Sequence, residues 1–154
     1  MKLNKYIALI LFILSTYIAA YIGGLFTASS VHSWYDSLLR PSWGPPKWIF
    51  GPVWFTLYTM MGISVWLVFI KNNNKTQIYY FYFQLLLNTL WSYFFFYLQN
   101  PFYGFLEIVA LWFSIIAMIT SFYKTSKISS YLLLPYLFWV SFAAILNWAI
   151  WKMN

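Results

Sequence analysis

The sequence predicts an all-α integral membrane protein: a bundle of five transmembrane helices with a long capping loop between the first and the second. Three observations lead there. The 154 residues are 63% hydrophobic and only 7% charged, whereas a soluble domain carries about a quarter charged residues to solvate its exterior. Five apolar runs divide the chain, each close to the roughly 20 residues that a helix needs to cross a ~30 Å hydrocarbon core. Between the first two runs stands WYDSLLRPSWGPPKW, residues 34–48, which is too aromatic for a disordered linker. Barrel strands are excluded, because they are about half as long as these runs and alternate polar with apolar residues. A single membrane domain over residues 1–154 is expected.

The first run spans Tyr6 to Ala28. Its start, MKLNKYIALILFIL, has the lysines and apolar stretch of a secretory leader, but the run continues too far and STYIAAYIGG has no clean cleavage site. An uncleaved helix is the expectation. Ser15, Ala19 and Gly23 recur at intervals of four and give this helix a small-residue face suited to close contact, within the bundle or at a dimer seam. The connection that follows is long for a compact bundle, and such loops are usually functional lids or disordered. Pro41, Pro45 and Pro46 fix φ and stiffen it, while Trp34, Trp43 and Trp48 are residues of membrane interfaces. An ordered cap over one mouth of the bundle is expected, the alternative being an aromatic belt resting on lipid headgroups.

The second run, Ile49 to Ile70, places Trp54, Tyr58 and Met61 on one helical face. The third, Gln77 to Leu98, carries Gln84 and Asn88 four apart, hence on one face; such amides commonly bond between helices. The fourth, Pro101 to Tyr123, contains Glu107, the only acidic residue inside a run. Intramembrane acids are rare and tend to be functional, although the nearby helix N-terminus also favours negative charge. In the fifth, Ser129 to Trp151, the positions Trp139, Phe142, Ala143, Leu146, Asn147 and Ile150 follow helical spacing. An indole beside an alanine leaves a flat recess, which suits a planar apolar ligand.

The net charge of +7 does not point to nucleic acid, because the cations sit at the ends of the apolar runs. Lys2, Lys5, Lys71, Lys75, Lys124 and Lys127 share one side; Arg40, Lys47 and Lys152 share the other, with Asp36 offsetting one of them. The positive-inside rule then puts the N-terminus in the cytoplasm and the cap outward, and a bacterial cytoplasmic membrane is the expected location. Without Cys there is no disulfide or thiol chemistry. One His and two acids leave almost no material for a metal site or a Ser/His/Asp triad.

WYDSLLRPSWGPPKWIFGPVWFTLYTMMG resembles the signature of the TspO/translocator-protein family, also known as tryptophan-rich sensory proteins or peripheral-type benzodiazepine receptors. The matching loop positions are Trp34, Tyr35, Leu38, Pro41, Trp43, Pro45 and Pro46, followed by Val53, Trp54, Leu57, Tyr58, Met61 and Gly62. LNTLW contributes Asn88 and Trp91, and PYLFWVSFAAILNWAIWK contributes Pro135, Tyr136, Trp139, Phe142, Ala143, Leu146, Asn147 and Trp151. The resemblance implies a pocket between the helices, capped by the first loop. Its ligands in the family are protoporphyrin IX or related tetrapyrroles and isoquinoline/benzodiazepine-type drugs. It would be lined by Trp54, Leu57, Tyr58, Asn88, Trp91, Tyr103, Glu107, Trp139, Phe142, Ala143 and Leu146, with Tyr35 and Trp43 in the cap. No intrinsic cofactor or metal is implied, and a homodimer is the expected assembly. Many relatives have Trp at the position of Tyr103 and Asp at that of Glu107, and Trp148 stands where the family's weak sterol motif needs Tyr. Three functions are compatible with this residue set. They are a tetrapyrrole-binding sensor or transporter, a light- and oxygen-dependent porphyrin-degrading enzyme using Trp54 and Trp139, and a lipid-handling or structural membrane protein.

Overall fold

A computed structural model describes residues 4–72 and 74–154; Lys2, one of the cations counted above, lies outside them. Among the described residues every regular element is helical: α1 (Lys5–Ala28), α2 (Trp34–Ser37), α3 (Phe50–Asn72), α4 (Lys75–Ser92), α5 (Pro101–Tyr123), α6 (Lys127–Leu132) and α7 (Leu134–Met153). A 3-10 turn, Lys47–Ile49, leads into α3, and a π turn, Tyr93–Tyr97, prolongs α4. Four helical stretches are long and apolar enough to cross a membrane: α1, Lys47–Asn72, α5 and Lys127–Met153. The third run is not among them. Its helix carries Gln77, Gln84 and Asn88, all buried, so its polar residues face the bundle and lower its apolarity.

Asn4 caps α1, its Oδ1 accepting from the Tyr6 amide at 2.9 Å. The buried stripe is Ala8, Phe12, Thr16, Ala19 and Gly23. Ile10, Leu14, Ile18 and Leu25 on the other side are exposed, as lipid-facing residues are. The stripe packs on α3 and α4. At Gly62 the backbones of α3 and α1 nearly touch, since a Cβ there would stand 2.9 Å from Ile13 Cα. The Thr16 hydroxyl donates to the Tyr58 carbonyl across the same contact. Ala19 and Gly23 face α4 instead, where a Cβ on Gly23 would lie 3.5 Å from Ser92 Oγ. Ser15 is outside the stripe and donates to its own helix at Phe12 O. The small residues of α1 therefore serve packing within the chain.

The fifth apolar run is not one straight helix. It breaks at Leu133, between α6 and α7, because Pro135 has no amide hydrogen to donate and its ring displaces the carbonyl one turn back. The turn between α4 and α5 reverses at Gln99, whose φ of 52° is left-handed. Asn100 Oδ1 then accepts from the Phe102 and Tyr103 amides at 3.1 and 3.0 Å, and Pro101 opens α5 where an amide hydrogen is not needed.

The connection between α1 and α3 is partly helical rather than a plain loop, since it contains α2 and the 3-10 turn. Its start is fixed by the Ser30 hydroxyl, which donates to Phe96 O at 2.7 Å. Farther along, the Leu39 amide donates to Asn154 Oδ1 and Asn154 Nδ2 donates back to Leu39 O, both at 3.0 Å. Tyr35 is buried between these ties against Phe95 and Phe96.

Candidate ligand cavity beneath the first connection

A cavity of about 550 Å³ lies between α1, α3, α4, α5 and α7, with Val31, Tyr35 and Lys47 of the first connection in its lining. Small residues of α1, namely Ala20, Gly23 and Gly24, form one wall and leave the width. The indoles of Trp54, Trp91 and Trp139 also line it. Ile108, Leu111, Ala143 and Leu146 add to a mostly apolar lining, and Tyr35, Lys47 and Phe50 line its cap end. The volume falls in the roughly 300–1,000 Å³ typical of small-molecule sites.

At the inner end the polar groups are bonded to one another. Tyr58 OH donates to Asn88 Oδ1 at 2.5 Å, Asn88 Nδ2 to Tyr136 OH at 2.8 Å, and Tyr136 OH to Gln84 Oε1 at 2.9 Å. Each hydroxyl proton is committed, which locks the amides and the two phenols. Trp91 is held in the same way, its Nε1 donating to Asn147 Oδ1 at 2.9 Å while Asn147 Nδ2 donates to Pro101 O. The Trp139 indole differs: its Nε1 is buried and has no acceptor among the described residues. Trp54 leans on Tyr58 with ring centroids 5.4 Å apart and meets Tyr136 edge-on at 6.2 Å.

The profile of the TspO/MBR family matches residues 11–152. The chain is 42% identical to the tryptophan-rich protein TspO of Archaeoglobus fulgidus, over 100% of this chain and 99% of that one. It is 41% identical to that of Chlorobaculum tepidum over 87% of both chains. To the human translocator protein it is 31% identical, over 93% of this chain and 88% of the other. The chain belongs to the TspO/MBR family.

The site residues that the TspO resemblance implies divide into three groups in the structure. Tyr35, Trp54, Tyr58, Asn88, Trp91, Trp139, Ala143 and Leu146 all line the cavity. Leu57 and Phe142 instead line an apolar groove between α3 and α7, which Trp139 also borders from its other side. Trp43 is half-exposed and meets Phe142 edge-on at 5.9 Å, so it braces the groove side of the cap. Tyr103 and Glu107 are outside the cavity wall. Tyr103 is half-exposed near the start of α5, against Phe94 and Phe102. Glu107 is buried behind the wall, its neighbour Ile108 facing the cavity, and neither carboxylate oxygen has a hydrogen-bond partner among the described residues.

Sequence reasoning missed Lys47. Read as a boundary cation, it lines the cavity of this TspO-family bundle at the cap end. Its Nζ forms an ion pair with Asp36 and donates to Val31 O at 3.3 Å. Arg40 approaches Asp36 at 3.7 Å and lies over the Tyr35 ring, 5.0 Å from its centroid. The hydrogen bond from Lys47 holds the Asp36 carboxyl below its ordinary range, helped by the charges of Lys47 and Arg40. The available signal was position: Lys47 directly follows the two prolines of the cap and precedes the turn into α3.

Proposed function

We propose that this member of the TspO/MBR family is a membrane receptor or carrier for porphyrin-type tetrapyrroles, held in the cavity beneath the first connection. The observation that carries the reading is the cavity itself: about 550 Å³, apolar, and walled by Trp54, Trp91 and Trp139. Three indoles around one space favour a flat aromatic guest, which gains from stacked and edge-on ring contacts as well as from area burial. The committed hydrogen bonds at the inner end keep that space rigid before the guest arrives, which lowers the cost of binding. Drugs of the isoquinoline/benzodiazepine type fit the same description. In this reading α4, prolonged by its π turn, is a fifth crossing shielded by its neighbours, and the mouth opens away from the cytoplasm. Relatives named "translocator protein" accord with a carrier.

Protoporphyrin IX added to purified protein is expected to quench tryptophan fluorescence with low-micromolar affinity. Ala143→Phe, which fills the recess beside Trp139, is expected to weaken that binding at least about tenfold by overpacking. Undiminished affinity in this variant would put the ligand elsewhere.

A second reading is favoured by one feature, that Trp54 and Trp139 border the same space and Trp139 is not tethered by a hydrogen bond. Indoles so placed are within reach of a photoexcited guest, and porphyrin, light and oxygen together supply an oxidant. Trp54→Phe and Trp139→Phe keep most of the stacking area but remove the oxidisable indole. Under aerobic illumination the photochemical reading expects these variants to bind porphyrin and fail to convert it. Porphyrin loss in the wild type no faster than in a detergent blank leaves the receptor or carrier.

A further inference from the structure

We propose that Lys47 is the anion-recognising residue of the cavity mouth, and that the preferred guest is an amphiphilic acid, with its flat apolar body between the helices and its carboxylate at the cap. The proposal rests on the reading of the cavity as a ligand site and specifies which guests it selects.

Among the described residues, Lys47 is the only charged one in the cavity lining. Its ammonium has three donors, of which one meets Asp36 and one meets Val31 O. A third donor is left for a guest. The pair with Asp36 does not neutralise the mouth, because Arg40 serves the same carboxylate, giving two cations to one acid. If a guest carboxylate draws Lys47 away, Asp36 keeps Arg40, so the exchange strands no charge.

The inner end offers an acid nothing comparable. The hydroxyl protons of Tyr58 and Tyr136 are spent on Asn88 and Gln84, and the Trp91 indole is spent on Asn147. An ionised group pushed there would lose its water without gaining a counter-charge, which is costly. At the mouth the Lys47 side chain is 36% exposed, so water completes the shell of whichever carboxylate it meets. The same asymmetry fixes the guest's orientation: apolar edge inward, acid edge outward.

The test compares protoporphyrin IX, which carries two carboxylates, with its dimethyl ester, which has the same ring and none. Affinities of both are measured by tryptophan quenching in lipid nanodiscs. For the wild type we expect the acid to bind about tenfold more tightly than the ester, the scale of a charge-assisted hydrogen bond in a partly solvated site. Added salt should erode the acid's advantage. Lys47→Met should bring the ratio of acid to ester affinity to about one, and Lys47→Arg should keep it near the wild-type value. Asp36→Asn, which removes the competing carboxylate, should raise the ratio. A wild type that binds both forms equally, or a ratio indifferent to Lys47→Met, overturns this proposal and leaves the cavity reading intact. A wild type that binds neither form overturns the cavity reading and this proposal with it.

Discussion

Asp36 is one of only two acidic residues in the chain, and it is used to hold the cap, by Lys47 on one side and Arg40 on the other. Its folded pKa lies below the ordinary aspartate value of 3.8, so its contribution to the cap is fully present above the unfolded value. It is lost as pH falls through the lower, folded value. The cap should therefore be indifferent to pH across the neutral and mildly acid range and loosen only in strong acid. A fluorophore on Ser42→Cys, in a chain with no other Cys, should show steady anisotropy down to about pH 4 and a drop below it. With Asp36→Asn added, the anisotropy should be low throughout. A flat, high anisotropy in both proteins would mean that the hydrogen bonds of Leu39 to Asn154 hold the cap alone. At this scale the sequence was only partly legible. Trp54, Tyr58, Asn88, Trp91, Trp139 and Ala143 line one cavity, and it was the family resemblance that grouped them. Lys47 was hidden, because a lysine at the end of an apolar run reads equally well as a membrane anchor. Tyr103 was implied by the resemblance alone, at a position where many relatives have Trp, and it stands half-exposed against Phe94 and Phe102 outside the cavity lining.

Among the elements, the glycines report where helices touch. A Cβ on Gly62 would meet Ile13 Cγ1, Cα and N at 2.8, 2.9 and 3.1 Å, and two of those atoms are backbone. A flexible side chain could step aside; the backbone of α1 cannot do so without moving the helix. Gly62→Ala should thus separate α1 from α3 and cost about 1–3 kcal/mol. Gly23→Ala, 3.5 Å from a serine hydroxyl, should cost far less. Thermal unfolding in one detergent ranks the two, and equal melting temperatures would show that α1 shifts freely on its neighbours. Four of the five apolar runs and their order were legible because crossing a bilayer demands long apolar runs. Two breaks were not. The kink at Leu133 follows from Pro135, whose effect on an apolar run is not visible in its hydropathy. The π turn at Tyr93–Tyr97 is set in a run of aromatics that any helix could accommodate.

For the whole molecule, the two ends of the bundle differ in charge. At one end Trp66 Nε1 donates to Lys5 O and Gln77 Nε2 to Ser121 O, which brings the start of α1, the α3–α4 turn and the end of α5 together. Lys5, Lys71, Lys75, Lys124 and Lys127 belong to these segments. At the other end, Asn154 ties the cap to the end of α7, and Arg40, Lys47 and Lys152 belong there with Asp36. These five lysines thus share one end of the bundle, and the proposed orientation, with that end cytoplasmic, is the one the positive-inside rule favours. A carboxylate at Lys47 would then arrive from outside the cell or from the outer leaflet. Ser42 is exposed on the cap, and with Ser42→Cys as the only thiol, a membrane-impermeant maleimide should label intact cells as completely as lysed ones. Labelling confined to lysed cells would invert the molecule and turn the cavity mouth toward the cytoplasm, making it a receiver of internal rather than external ligand.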